Sequence, residues 1–211
     1  MCYSAQIWAE HNKYVRAFGA DIDIKEYVRL FWHRNENDRI KNPKAMEESF
    51  IAPQGVDEAR IRSLIDQYRV QQATKLEQEL FKQRKRLADA ERNLLTKITK
   101  AAAEARRIST NKVDWVLAKL ADSRRADLED GDSRIYPGHF APVLIVEDGK
   151  RVIRPMRYQC RPAGKPAIYD TKYPGTYNAR RDSLEGFWKD QFGHTHGPMV
   201  VNAFYEHATR T

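Results

Sequence analysis

Cys2 is the residue of this chain with the most distinctive chemistry. Initiator methionine is removed when the next side chain is small, so loss of Met1 exposes a thiol and a free α-amine on one carbon skeleton. An α-amine of unperturbed pKa about 8 is substantially neutral at physiological pH and attacks aldehydes, while a thiolate is the stronger nucleophile. Together the two groups close a thiazolidine ring on a carbonyl. The other thiol, Cys160, follows a strand-like segment and reads as a small buried residue. His194 and His196 form a His-x-His pair inside a 193–198 turn, but no third ligand stands at a recognisable spacing, so no metal is expected. No phosphate loop or dinucleotide fingerprint is present, and no cofactor is expected.

The elements that must position Cys2 fall into two kinds. Residues 24–32 have the pattern of a short amphipathic helix offering Tyr27, Val28, Leu30 and Phe31 to a core, and Asn42-Pro43 ends or interrupts the segment after that helix. From Tyr136 onward the periodicity becomes strand-like. Val143-Leu144-Ile145-Val146, Glu147-Asp148-Gly149-Lys150 and Arg151-Val152-Ile153 form a hairpin signature, because Asp-Gly supplies the positive φ angles of a tight turn. A further strand is expected over 199–205, entered through Gly197-Pro198. Trp8, Trp32, Trp115 and Trp188 read as core anchors.

Between these parts lies a segment of different character. Residues 56–130 contain no Gly or Pro and are rich in helix formers. Leu76, Leu80, Leu87, Leu94, Ile98, Ala101, Ala105 and Ile108 make a narrow apolar stripe that needs a partner helix. A break at Ser109-Thr110-Asn111, with Ser109 or Asn111 as cap, would let a second helix carrying Val113, Val116, Leu117 and Leu120 fold back. The expectation is a helical hairpin projecting from the domain, with self-association through the insertion as the alternative. Between residues 60 and 125 stand 17 Lys and Arg against 8 Asp and Glu, more than the whole chain's net charge of +8. An anionic partner is favoured, nucleic acid ahead of membrane, while the run Lys82-Gln83-Arg84-Lys85-Arg86 reads first as a solvated helix face, with phosphate contact as the alternative.

The length of 211 residues suits one core with an appendage. No stretch is apolar enough to span a bilayer, no secretory signal precedes the first element, and two distant cysteines give no disulfide framework, so a reducing cytoplasmic compartment is expected, nucleoid-associated if the source is bacterial. The predicted fold is α+β with mainly antiparallel strands, formed by residues 1–55 and 131–211 and interrupted by the basic helical insertion 56–130.

Cys2, Phe140-Ala141-Pro142, Pro155-Met156-Arg157-Tyr158, Asn178-Ala179-Arg180 and Phe204-Tyr205-Glu206 occur in that order. In this series the chain resembles the SOS-response-associated peptidase (SRAP) family, whose members crosslink covalently to abasic sites in single-stranded DNA. The resemblance covers roughly residues 1–20 and 135–211. It implies a β-rich α+β domain with a DNA groove leading to Cys2, with Cys2, Asn178 and Glu206 catalytic and Arg180, Arg157, Pro142 and Tyr158 binding DNA. In the implied reaction the amine of Cys2 forms an imine with the ring-opened sugar and the thiolate closes the thiazolidine. Glu206 moves protons, Asn178 orients the sugar and the N-terminus, and Arg180 holds a phosphate. Peptidase, hydrolase and lyase activities come with the resemblance.

Two departures stand out. Family members begin Cys-Gly-Arg where this chain has Cys2-Tyr3-Ser4, so one DNA-contacting arginine is missing. The family's downstream His is also missing, since only five residues follow Glu206, and the domain is expected to lack its C-terminal part. Neither His194, His196 nor His207 is expected to replace it. Two other functions fit the residues: an N-terminal-nucleophile cysteine peptidase, and a coiled-coil interaction module without chemistry.

Overall fold

In the computed structural model, residues 2–162, 164–173, 176, 179–194 and 196–206 are described, with the backbone alone for Cys2, Tyr3 and Glu206. The chain divides into two compact units: a body of Met1–Ile65 with Leu128–Thr211, and a second unit of Asp66–Asp127.

The body is α+β. Strand β1 (Cys2–Ile7) leads into α1 (His11–Phe18), β2 (Asp21–Ile22), α2 (Ile24–Glu36), α3 (Lys44–Glu48) and the first turns of α4 (Val56–Thr96). After the second unit come β3 (Arg134–Ile135), β4 (Phe140–Glu147), β5 (Lys150–Arg157), the short α6 (Ile168–Lys172) and β6 (Val201–Glu206). Two three-stranded sheets result, in the orders β3-β1-β6 and β2-β5-β4. Every pairing is antiparallel except the short β2–β5 contact.

Local chemistry explains the main boundaries. Asp148 and Gly149 adopt φ of 48° and 75°, giving the expected two-residue turn between β4 and β5. The side chain of Asp23 accepts from Glu26 N–H to cap α2 and also pairs with Arg154 of β5 at 2.7 Å, so one carboxylate starts a helix and fixes it to a strand. Helix α2 runs four residues beyond the predicted stretch and buries Tyr27, Leu30 and Phe31. These pack with Phe50, Ile61 and Ile65 in the main core. Beside them Arg34 and Glu47 form a buried ion pair at 2.5 Å.

Tyr14 connects the two sheets. Its hydroxyl donates to the Pro142 carbonyl of β4 and accepts from the N–H of Val200, just before β6. Gly197 lies so close to β4 that a Cβ there would sit 2.7 Å from Val143 Cγ1, which only glycine avoids.

The second unit is an antiparallel pair made of the remainder of α4 and α5 (Lys100–Arg124). The break falls at residues 97–99, not at 109–111. Thr99 caps α5 by accepting from Ala102 N–H, and neither Ser109 nor Asn111 is a cap. The polar cluster at 109–111 stays helical because Ser109 is buried in the seam and the Thr110 hydroxyl donates to the Arg106 carbonyl one turn back. Ile98 accordingly leaves the expected stripe and is exposed at the connection. Gln83, Ala90, Ala102, Ser109, Val116 and Leu120 form the buried seam, spaced largely by sevens, so the α4 stripe finds its partner within the chain. Trp32 and Trp115 are exposed and anchor no core, whereas Trp188 is buried.

Candidate functional site

The ladder between β1 and β6 places Cys2 opposite Glu206, followed by Ser4 opposite Tyr205 after a register shift. Residues directly opposite on antiparallel strands are adjacent in the backbone ladder. Cys2 and Glu206, 204 positions apart in sequence, thus become backbone neighbours at the ends of their strands. The shift between Cys2 and Ser4 is a bulge-type irregularity of the ladder.

A cation that carries no motif reaches the same corner. Arg134 of β3 lies opposite Gln6, and its Nε and Nη2 donate to Ser4 Oγ at 3.0 and 2.8 Å. The guanidinium is 4.0 Å from the centre of the Tyr205 ring and 5.4 Å from that of Tyr136. It forms no ion pair among the described side chains. Arg134 is the site residue that sequence reasoning missed: a lone arginine in a two-residue strand becomes conspicuous only when the β3-β1-β6 register is known.

The other sequence-derived candidates are distributed differently. Arg180 opens a short 3₁₀ turn and pairs with Asp182 at 2.9 Å, with both side chains well exposed. Such an exposed surface pair contributes little to stability. Arg157 is held more firmly, with Nη2 at 2.6 Å from Asp170, a carboxylate that Arg161 also meets. Pro142 is buried opposite Pro155, where it shapes β4 and presents no surface. Tyr158 packs against the main core, its N–H donating to the His139 carbonyl. Asn178 and His207 lie outside the described residues. His194 and His196 are exposed in the loop before β6.

Cys160 does not resemble a reactive thiol. It is half-buried, and burial pushes its thiol up from the ordinary value, with a backbone hydrogen bond from Ala179 opposing that shift. Among the described residues no group of three or more His, Cys, Asp or Glu could hold a metal ion, and no helix is long and apolar enough to cross a membrane.

The fold is therefore α+β with small, mainly antiparallel sheets, and its candidate site is a strand-end pair of Cys2 and Glu206 flanked by Arg134. No protein-family model matches the chain, and neither a curated protein nor a solved structure does.

Proposed function

We propose that this protein captures abasic sites in single-stranded DNA covalently through Cys2, as an SRAP-type protein of the DNA-damage response. The observation that carries the reading is the register that sets Cys2 opposite Glu206. With Met1 removed, the amine of Cys2 adds to the aldehyde of the ring-opened sugar and water leaves, giving an imine. The thiol sulfur then adds to the imine carbon while its proton goes to nitrogen, closing the thiazolidine. Glu206 donates and accepts the protons that ring opening and dehydration require. Arg134 takes the place of the arginine missing after Cys2: displaced from Ser4, its fork suits the phosphate beside the lesion. Arg180 exchanges Asp182 for another phosphate.

The test is incubation with single-stranded DNA carrying a uracil-glycosylase-generated abasic site, followed by a denaturing gel. A shifted band is expected from the wild type, provided mass spectrometry shows Cys2 at the N-terminus, and none from Cys2→Ala. Glu206→Gln should slow crosslinking about a hundredfold with little change in affinity for the strand. Undiminished crosslinking by Cys2→Ala would remove the assignment. Cleavage of a protein substrate without any crosslink would favour the cysteine-peptidase reading.

A further inference from the structure

The cations of the helical pair are arranged more specifically than their number requires. Several are satisfied internally: Arg92 by Asp89, Arg107 by Glu104, Arg124 by Glu77 and Arg125 by Asp122. Of the cations that form no ion pair among the described residues, Arg84, Lys85, Lys100 and Arg106 lie on other faces by helical spacing, leaving Lys82, Arg86, Lys97, Lys112 and Lys119. These five share one flank. Arg86 and Lys97 line a single open cleft with Ala101 and Ala105 of α5. Lys82 stands one turn before Arg86, and Ala105, Lys112 and Lys119 are spaced by sevens along α5, so helical geometry keeps each row on its own side of the seam. The Glu77–Arg124 ion pair marks the opposite flank.

The same flank carries an aromatic ring that no core uses. Trp115 is half exposed, and Lys112 Nζ lies 5.3 Å from its ring centre. Nearby carboxylates are already engaged: Glu79 accepts from Gln83 Nε2, and Asp89 holds Arg92. A row of unpaired cations about 22 Å long between Lys82 and Lys97, beside a second row and an exposed indole, has the composition of a single-strand platform, in which phosphates follow the charge and a base stacks on the ring.

We infer that this flank of the helical pair binds single-stranded DNA independently of any lesion, with Lys82, Arg86, Lys97, Lys112 and Lys119 on phosphates and Trp115 stacked on a base. The choice of a single strand comes from Trp115. The choice of DNA over RNA rests on the proposed function, although binding itself requires no crosslink.

The experiment measures the affinity of the full chain, in a Cys2→Ala background that cannot crosslink, for an undamaged oligonucleotide of about 20 nucleotides across a salt series. Each phosphate contact contributes about 0.7 to the slope of log affinity against log salt on single strands. The triple variant Lys82→Gln/Arg86→Gln/Lys112→Gln should therefore flatten the slope by about two. A charge-matched control, Arg84→Gln/Lys85→Gln/Arg106→Gln, removes cations off that flank and should change the slope by less than half as much. Trp115→Ala should weaken binding about five- to a hundredfold, the loss expected of one stacked base. Circular dichroism verifies that each variant remains helical. Absence of binding, equal losses in the two triple variants, unchanged affinity in Trp115→Ala, or tighter binding of duplex DNA or of RNA would each overturn the inference. Because Cys2 is already removed, failure here leaves the abasic-site chemistry intact, and failure of that chemistry leaves this binding intact.

Discussion

The body and the helical pair use the same residue types for opposite purposes. In the body, Arg34, Arg154, Arg157 and Arg161 are tied to carboxylates of other elements, and Arg154 reaches Asp23, 131 residues away, as well as Glu147. In the helical pair the ion pairs are mostly one turn apart, and a flank of cations forms no ion pair among the described residues. The interiors differ as well. Tyr27, Phe31 and Phe50 fill the body's core, whereas the seam of the pair is lined by Ala90, Ala102, Ser109 and Gln83. Large rings fill the irregular space between sheets and helices, and small side chains let two helices approach closely. Charge therefore ties elements together at these four arginines of the body, whereas on the flank of the pair it stays exposed.

The sharpest way to break this contrast is to remove one charge from each unit. Glu47→Ala leaves the Arg34 guanidinium buried without its partner and should cost about 3–5 kcal/mol in equilibrium unfolding. Arg86→Ala should stay within about 0.5 kcal/mol of the wild type, because its exposed side chain forms no ion pair among the described residues. Comparable losses from the two would show that charge is structural in both units.

A second, intermediate effect is confined to the body. His11 is fully buried and stacked on Phe50 at 4.8 Å, with neither ring nitrogen hydrogen-bonded and Glu58 3.9 Å away. Burial lowers its pKa from the ordinary 6.5, an effect that Glu58 and Glu10 only partly offset. The unfolded chain therefore takes up a proton at His11 before the folded one does. The resulting stability is fully present above pH 6.5 and is lost as pH falls from there through the folded value, with a slope of at most about 1.4 kcal/mol per pH unit for one proton. His139, lowered by burial and by Lys41, acts in the same direction. Chemical denaturation between pH 8 and pH 5 should show this decline, and His11→Phe should flatten it. An unchanged slope in that variant would transfer the effect to His139 or to carboxylates.

The smallest expected change belongs to the helical pair. Ser109 is fully buried and its hydroxyl has no partner, next to a seam that also holds Gln83 Oε1 unsatisfied. Ser109→Ala removes an unpaired polar group and raises helix propensity, so the pair should gain about 0.5–1 kcal/mol, readable as greater amide-exchange protection along α5. A loss would mean that the hydroxyl sets the register of the two helices, a role known for polar residues in coiled-coil seams.

How far these features were legible in the sequence depended on the range of the interactions that produce them. The turn at Asp148-Gly149, the core face of α2 and the long helical stretch free of Gly and Pro are local properties, and each comes from φ preference or a 3.6-residue period. The position of the helical break does not. Residues 97–99 contain no Gly or Pro, and the cap residue Thr99 was a weaker signal than the run Ser109-Thr110-Asn111, which looked like punctuation but stayed helical, with Thr110 bonded one turn back and Ser109 in the seam. Trp115 and Trp32, read as anchors from their size, proved exposed, because burial depends on which elements come to cover a face.

The sequence by itself determined the position of the candidate nucleophile Cys2, the helical character of the insertion, the excess of positive charge there and the β4–β5 turn, since all of these reside in residue identity and near-neighbour spacing. Only the tertiary structure decided that Cys2 meets Glu206, that Arg134 bridges to Ser4 beside them, and which arginines are consumed by carboxylates and which cations are left to a partner. These depend on strand register and on pairs separated by up to the length of the chain, and a one-residue slip in β1 or β6 would abolish the first without altering any local preference.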